Sequence, residues 1–201
     1  MNFWDKQYSA VEGYKYGTRP NAFLMAEVHR LPSHARVLVP GDGEGRNGAW
    51  LASQGHEVLT VDISEVGVAR ARALAAELGV RVDTLVADLK VWTPPASAFD
   101  AVVLTYLHMP PAMRTAVHRK VAAALRPGGG LLLLEAFHPR QLGRSSGGPK
   151  EVELLYTLQD VRADFAGALD EESGEELDVL LDEGPGHQGL AAVTRYRGRA
   201  R

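Results

Sequence analysis

Residues 37–48 read VLVPGDGEGRNG: an apolar run breaks into a glycine-dense turn and then opens a helical pattern. A buried strand running into such a turn is the start of an open α/β sheet. Glycines at 41, 43 and 45 let the backbone turn sharply and approach a ligand with no Cβ in the way. Gly48 falls early in the helix, where glycine costs roughly 0.5–1 kcal/mol relative to alanine unless a close helix–strand approach requires it. The same residues also fit G-x-G-x-x-G (Gly43, Gly45, Gly48). The loop alone therefore leaves three readings open: a dinucleotide site, another adenosine-containing ligand, or a turn with no ligand.

Outward from this stretch, short apolar runs at 36–40, 57–63, 80–89, 100–106 and 130–136 alternate with helix-period segments. Their near-continuous Val and Leu content suits parallel strands covered on both faces. Ser64 is placed to cap a helix that turns Val68, Ala71, Ala75 and Leu78 inward and ends at Gly79. Pro111 opens another, with Met113, Val117, Val121 and Leu125 inward, closed by Arg126–Pro127–Gly128–Gly129. Leu154, Leu158, Val161 and Phe165 mark one more. Segments 175–182 and 190–197 then read as strands joined by GPGHQG, too short a connection for two parallel neighbours. The expectation is a seven-stranded, Rossmann-like doubly wound sheet, mostly parallel with a C-terminal antiparallel hairpin. It forms one domain over 1–201, with two short helices at 1–31 broken at Gly17–Thr18–Arg19–Pro20 and a core over 36–201.

With 45% hydrophobic and 23% charged residues, the composition is that of an ordinary globular protein. A net charge of −3 argues against a general nucleic-acid or membrane-surface partner. The arginines at 195, 197, 199 and 201 read as a short solvated end. No cysteine is present, which excludes disulfides, thiolate metal sites and a cysteine nucleophile. MNFWDKQYSA has no basic segment leading into an apolar run, and no stretch approaches about 18 apolar residues, so a cytoplasmic protein is the default expectation.

Two acids follow the loop at the ends of the next strands. Asp62 closes EVLTVD about twenty residues on, where a carboxylate can take both hydroxyls of a ribose. Asp88 closes TLVAD at the same carboxyl edge and can accept from an exocyclic amine. That edge is where open parallel sheets bind ligands.

Five segments and the closing hairpin carry a resemblance that covers nearly the whole chain: WDKQYSAVEGYKYGTRPNAFL, VLVPGDGEGRNGAWLASQGHEVLTVDIS, VADL, FDAVVLTYLHMPP and LRPGGGLLLLEAFHP. The chain resembles the class I S-adenosylmethionine-dependent methyltransferases, and among them the small tellurite-resistance and thiopurine-methyltransferase-like group. The Pro-Gly-Gly turn and the reversed terminal strand separate that group from nicotinamide dehydrogenases. The resemblance implies S-adenosylmethionine as cofactor, a small-molecule methyl acceptor such as a thiol or tellurite, and a monomer or homodimer. It puts Gly41, Asp42, Gly43 and Gly45 around the donor's methionyl part. Asp62 would hold the ribose with Ile63 beside the adenine, Asp88 and Leu89 would meet the adenine edge, and Thr105 and Tyr106 would lie near the sulfonium. Trp4, Tyr8, Tyr16 and Gly17 would form a lid. Many relatives carry an acid two residues before the first glycine; here it is Val39, so Asp42 or a loop carbonyl would take its contact.

Methyl transfer from a sulfonium is an in-line displacement that needs no metal and no covalent enzyme intermediate. A thiolate or oxyanion acceptor needs no strong base; a hydroxyl or amine would use one. Tyr106, His108 and His138 are the candidates for the chemistry, the two histidines because they follow the fourth and fifth strands. The other five histidines, His187 among them, read as surface or packing residues. In the Gly- and Ser-rich loop 139–149, Arg140 and Arg144 are candidates to pair with an anionic acceptor, alongside Tyr8. The rival readings are a non-catalytic adenosylmethionine-binding sensor and a nicotinamide-dependent oxidoreductase.

Overall fold

The computed structural model describes residues 2–201. Two short helices, α1 (Phe3–Ser9) and α2 (Ala22–Glu27), precede β1 (Arg36–Pro40). Then follow α3 (Arg46–Ser53), β2 (Glu57–Asp62), α4 (Glu65–Glu77), β3 (Asp83–Val86), β4 (Ala101–Thr105), α5 (Pro111–Ala124), β5 (Leu131–Phe137), α6 (Leu158–Phe165), β6 (Leu169–Gly184) and β7 (His187–Ala200). All seven strands form one sheet in the order β3-β2-β1-β4-β5-β7-β6. Strands β1 to β5 pair in parallel, and β7 runs antiparallel to both β5 and β6. β7 is thus the one reversed strand, and β6 on the far edge runs with the parallel set. The order reverses between β1 and β4, which opens a crevice at their carboxyl ends.

Each central strand splits its residues between two cores. Leu38, Val102, Leu104, Leu132 and Leu134 face α5 and α6 with Val117, Val121, Val161 and Phe165. Val37, Val39, Ala101, Val103, Leu131 and Leu133 face the other way with Phe23, Leu24 and Leu51. This period of two, buried on both sides, is why the runs carry so little polar alternation. Ser64 caps α4 by accepting from the Gly67 amide at 3.0 Å.

Five expectations shift. The third strand is only Asp83–Val86: it is the sheet edge, and the Val80 amide donates instead to Ala75 to close α4. On α4 Leu74 joins Val68, Ala71 and Ala75 in the core, while Leu78 is 52% exposed. Leu154 lies in a separate turn of 3-10 helix ahead of α6. The hairpin strands are 16 and 14 residues long, much longer than their apolar cores. The arginine-rich end is no loose tail. Arg199 and Arg201 meet Glu172 and Asp170 across the strands, each at 2.8 Å, and Arg195 meets the buried Glu135 at 2.5 Å. Cross-strand charge pairs, rather than apolar alternation, mark these outer segments as β-structure.

Candidate functional site

A cavity of about 630 Å³ opens at the crevice between β1 and β4, a size typical of small-molecule sites. Its walls come from the ends of β1, β2, β4 and β5, the segment after β3, the N-terminal segment and the hairpin tip. Gly41, Asp42, Asp62, Ile63, Asp88, Leu89, Thr105, Tyr106, His108, Trp4, Tyr8, Tyr16 and Gly17 all line it.

Gly41 continues β1 at positive φ, and an added Cβ there would lie 2.6 Å from Leu107. Gly43 and Gly45 serve the fold more than the cavity. A Cβ on Gly43 would strike the Tyr8 hydroxyl, and one on Gly45 would lie 2.5 Å from Ala71 of α4. Gly48, which would collide with Thr60 and Asp42, gives the close helix–strand approach anticipated from its cost. Asp42 lines the cavity, yet its Oδ2 turns back to accept from the Gly48 amide at 3.0 Å and caps α3. It fills the role of a side-chain cap that Gly45 cannot provide. Its Oδ1 is buried without a partner, and burial pushes the carboxyl up to about 7. Val39, at the position where the chain departs from the acid implied by the resemblance, is packed in the core.

Asp62 is the best-held acid. Its Oδ2 accepts from the Gly43 amide and its Oδ1 from the Ser64 amide, both at 2.9 Å. Each oxygen keeps lone-pair capacity for a further donor. Burial raises this carboxyl while the two amides pull it down. Ile63 stands beside it with its side chain exposed, and Leu89 is buried on the far side. Asp88 accepts from the Lys90 amide at 2.8 Å.

The N-terminal segment is fastened over this wall. Ser64 donates to Asp5 at 2.7 Å, the Lys15 amide donates to Glu44 at 2.7 Å, and Arg70 spans Glu44 at 2.5 Å and the Val11 carbonyl at 3.1 Å. Trp4 stacks on Tyr8, which is itself buried.

The opposite wall is aromatic. Tyr106 stacks on Phe137 with centroids 4.6 Å apart, and the His187 ring lies 4.3 Å from Tyr106 and 4.5 Å from Tyr16. Tyr106 sits at φ +52°, a left-handed backbone rare for a non-glycine residue and concentrated at functional sites. Its hydroxyl donates to Glu135 at 2.7 Å, and burial beside that carboxylate drives its ionisation well above the ordinary range. His108 is saturated too. Nδ1–H donates to the Leu154 carbonyl at 2.7 Å, Nε2 accepts from the Phe137 amide at 3.3 Å, and burial holds the ring down to about 4. Neither group is a ready proton acceptor.

Besides Gly43 and Gly45, three anticipated residues lie outside the cavity lining. His138 caps the turn after β5, accepting from the Arg140 amide at 3.0 Å, with Nε2 3.4 Å from Glu176. Arg140 and Arg144 turn to Asp178 on the hairpin, at 3.8 and 2.9 Å. The reason is strand β6: its longer course brings a carboxylate face over the 139–149 loop. From that loop, Gly147, Gly148 and Pro149 reach the cavity instead.

A buried polar cluster stands behind these walls and, apart from Thr105, lies outside the residues expected from the sequence. Arg46 meets Glu183 at 2.8 Å, Asn21 donates to Glu135 and Glu183 at 2.6 and 3.1 Å, and Asn47 donates to Thr105 at 2.8 Å. Arg46, Asn47, Glu44 and His187 line the cavity. One signal points there: Arg46 and Asn47 stand between the glycines of the loop, whereas the turn of the hairpin at the carboxyl edge follows from the direction of β6.

Comparison with known proteins bears on what this site is. Residues 37–129 match the family described as "Methyltransferase domain". A thiopurine S-methyltransferase of Xanthobacter autotrophicus is 37% identical over 83 residues, covering 39% of this chain and 37% of that protein. A ubiquinone biosynthesis O-methyltransferase of Xanthomonas axonopodis pv. citri is 36% identical over 105 residues, covering 51% and 43%. The chain thus spans less than half the length of these curated relatives. A solved chain from work on the conversion of a disulfide bond into a thioacetal group during echinomycin biosynthesis superposes with a TM-score of 0.78 at 20% identity, over 98% of this chain and 90% of that one. At that identity the likeness is one of fold. Strand order and superposition give the chain the Rossmann-like fold of that neighbour, and residues 37–129 are similar to a methyltransferase domain.

Proposed function

We propose that the cavity binds S-adenosylmethionine and that the protein transfers its methyl group to a small acceptor, a thiol or a chalcogen oxyanion. The observation that carries this is Asp62, a buried carboxylate tied to the glycine loop and open to a cavity of about 630 Å³ at the sheet's switch point. The residues fit the group: Asp62 has acceptor capacity left for ribose hydroxyls, Ile63 and Leu89 offer apolar surface to a base, and Asp88 stands at its edge.

When bound, S-adenosylmethionine supplies an electrophilic methyl on a sulfonium. The chain's own part is to hold and to exclude. The fastened N-terminal segment covers the site, which strengthens interactions inside it and keeps water from competing. The aromatic wall of Tyr16, Tyr106, Phe137 and His187 confines the acceptor to a short approach line. With the Tyr106 hydroxyl engaged by Glu135 and both His108 nitrogens occupied, the wall favours an acceptor that arrives ionised over one that must be deprotonated. The thiopurine S-methyltransferase relative agrees with a sulfur acceptor.

Calorimetry with S-adenosylmethionine and its demethylated product tests the donor assignment. Asp62→Ala is expected to weaken binding at least tenfold, about 1.4 kcal/mol. Asp88→Ala, which frees only the Lys90 amide, should weaken it less. Unchanged affinity in folded Asp62→Ala would remove the ribose role. Transfer from labelled donor to thiols, tellurite, selenite, phenols and amines then identifies the acceptor class; turnover of only phenols or amines would overturn the ionised-acceptor reading.

A further inference from the structure

His187, at the start of β7, lines the cavity although its side chain is almost fully buried. Its ring is held between Tyr16, Tyr106 and Phe137, with centroids 4.5, 4.3 and 5.6 Å away. The hairpin tip that carries it is tightly seated. A Cβ on Gly186 would lie 2.5 Å from the Tyr16 ring, and one on Gly147 would lie 2.9 Å from the His187 ring. The imidazole therefore has little room to turn.

The two ring nitrogens face different surroundings. Nδ1 looks into the buried cluster, 3.4 Å from the Arg46 guanidinium and 3.7 Å from Glu183. Arginine can only donate, and of these two contacts only Arg46 lies within hydrogen-bonding distance. Nδ1 is thus the accepting nitrogen, and the proton of a neutral ring belongs on Nε2. Burial is the main cause that keeps the ring neutral, with Arg46 adding to it, and together they outweigh the opposing pulls of Glu183 and Glu135. Nε2 has no hydrogen-bond partner among the described residues and is not sealed away as a buried orphan.

We propose that His187 is an acceptor-binding residue: its Nε2–H, oriented by Arg46 on Nδ1, donates a hydrogen bond to the anionic atom that receives the methyl group. This rests on the methyltransferase reading and adds a residue to it. The role is that of a fixed donor. Such a group selects an acceptor with a free lone pair and places it, whereas a base would accept the acceptor's proton. A histidine acting as base needs the opposite tautomer, with Nδ1–H donating to Glu183 and Nε2 bare.

Nitrogen-15 NMR of histidine-labelled full-length protein, with the demethylated donor product bound, reads this directly. The expected result is a neutral His187 protonated on Nε2 at neutral pH. Benzenethiol, ionised at mildly alkaline pH, should shift that Nε2–H signal. With S-adenosylmethionine and benzenethiol, His187→Ala should lose at least tenfold in kcat/KM, and His187→Gln, whose amide N–H can donate, should recover most of it. An Nδ1–H tautomer, an imidazolium, or an Nε2–H signal unmoved by benzenethiol would overturn the proposal. Failure of the wild-type chain to bind the demethylated product would instead overturn the methyltransferase reading. Product binding intact in both variants keeps the two outcomes apart.

Discussion

The two walls of the cavity differ in how the chain makes them. One is drawn from three successive strand ends, Gly41 after β1, Asp62 at the end of β2 and Asp88 after β3, fixed by backbone amides. The other is gathered from Tyr16, Tyr106, Phe137 and His187, which meet only because β7 reverses and brings its first residue back to the carboxyl edge. The first is held by local backbone geometry and the second by buried side-chain pairs. The aromatic wall should therefore be the more sensitive to loss of a single charge, and the glycine-loop wall to loss of a single ligand contact.

The sharpest way to break this contrast is Arg46→Ala. It strands Glu183 in a buried cluster, and breaking such a pair from one side costs about 3–5 kcal/mol. Chemical denaturation should show that loss, and adding Glu183→Gln should recover part of it by removing the unpaired charge. Equal stability in Arg46→Ala and wild type would mean that the hairpin tip does not depend on the pair.

A smaller effect is expected in acid. Behind the aromatic wall, Tyr156 donates to the Leu107 carbonyl at 2.8 Å and accepts from the Met109 amide at 2.7 Å, which fixes the segment after β4. The His118 ring meets Tyr156 edge-on, and His118, Arg114 and Thr115 all bond Asp164. Burial alone would raise Asp164, but those three bonds outweigh it and hold the carboxyl down to about 2. A carboxyl lowered on folding stabilises above its unfolded value near 3.8, and that stability is lost as pH falls towards 2. On the order of 2 kcal/mol should disappear across this window. Asp164→Asn should flatten that part of the stability–pH curve.

The smallest effect is reserved for the covering segment. Arg70 is a quarter exposed, so Arg70→Ala should change global stability by under about 1 kcal/mol. Local opening should nevertheless increase, because the Val11 and Gly13 carbonyls and Glu44 lose a shared donor. Hydrogen exchange across 11–17 should accelerate while β4 and β5 stay protected.

The difference between the walls also explains what could be read from the sequence. The β1 turn, the acid ending β2, the Ser64 cap and the Pro111 helix start are short-range features, and each sits where its neighbours in sequence require. The error in the loop was one of purpose. Gly43 and Gly45 looked like room for a ligand, and they mainly make room for Tyr8 and Ala71, whereas Gly48 makes the close helix–strand approach that its cost implies. His138, Arg140 and Arg144 were chosen for following β5, but the carboxylates of β6 claim them. His187 reads as a surface or packing residue because nothing in its neighbouring sequence marks the aromatic partners it meets.

The sequence alone determined the alternation of strands and helices, the carboxyl edge as the ligand side of the sheet and the acid beside the glycine loop. These follow from hydrophobic period, glycine backbone freedom and helix caps, all of which act over a few residues. Only the tertiary structure decided the switch point, which polar groups meet across the cavity, that His187 lies between Tyr16 and Tyr106, and that the last strand runs on through Arg199. Those outcomes depend on strand register and reversal, which bring together residues far apart in the chain and pair each buried charge with a particular partner.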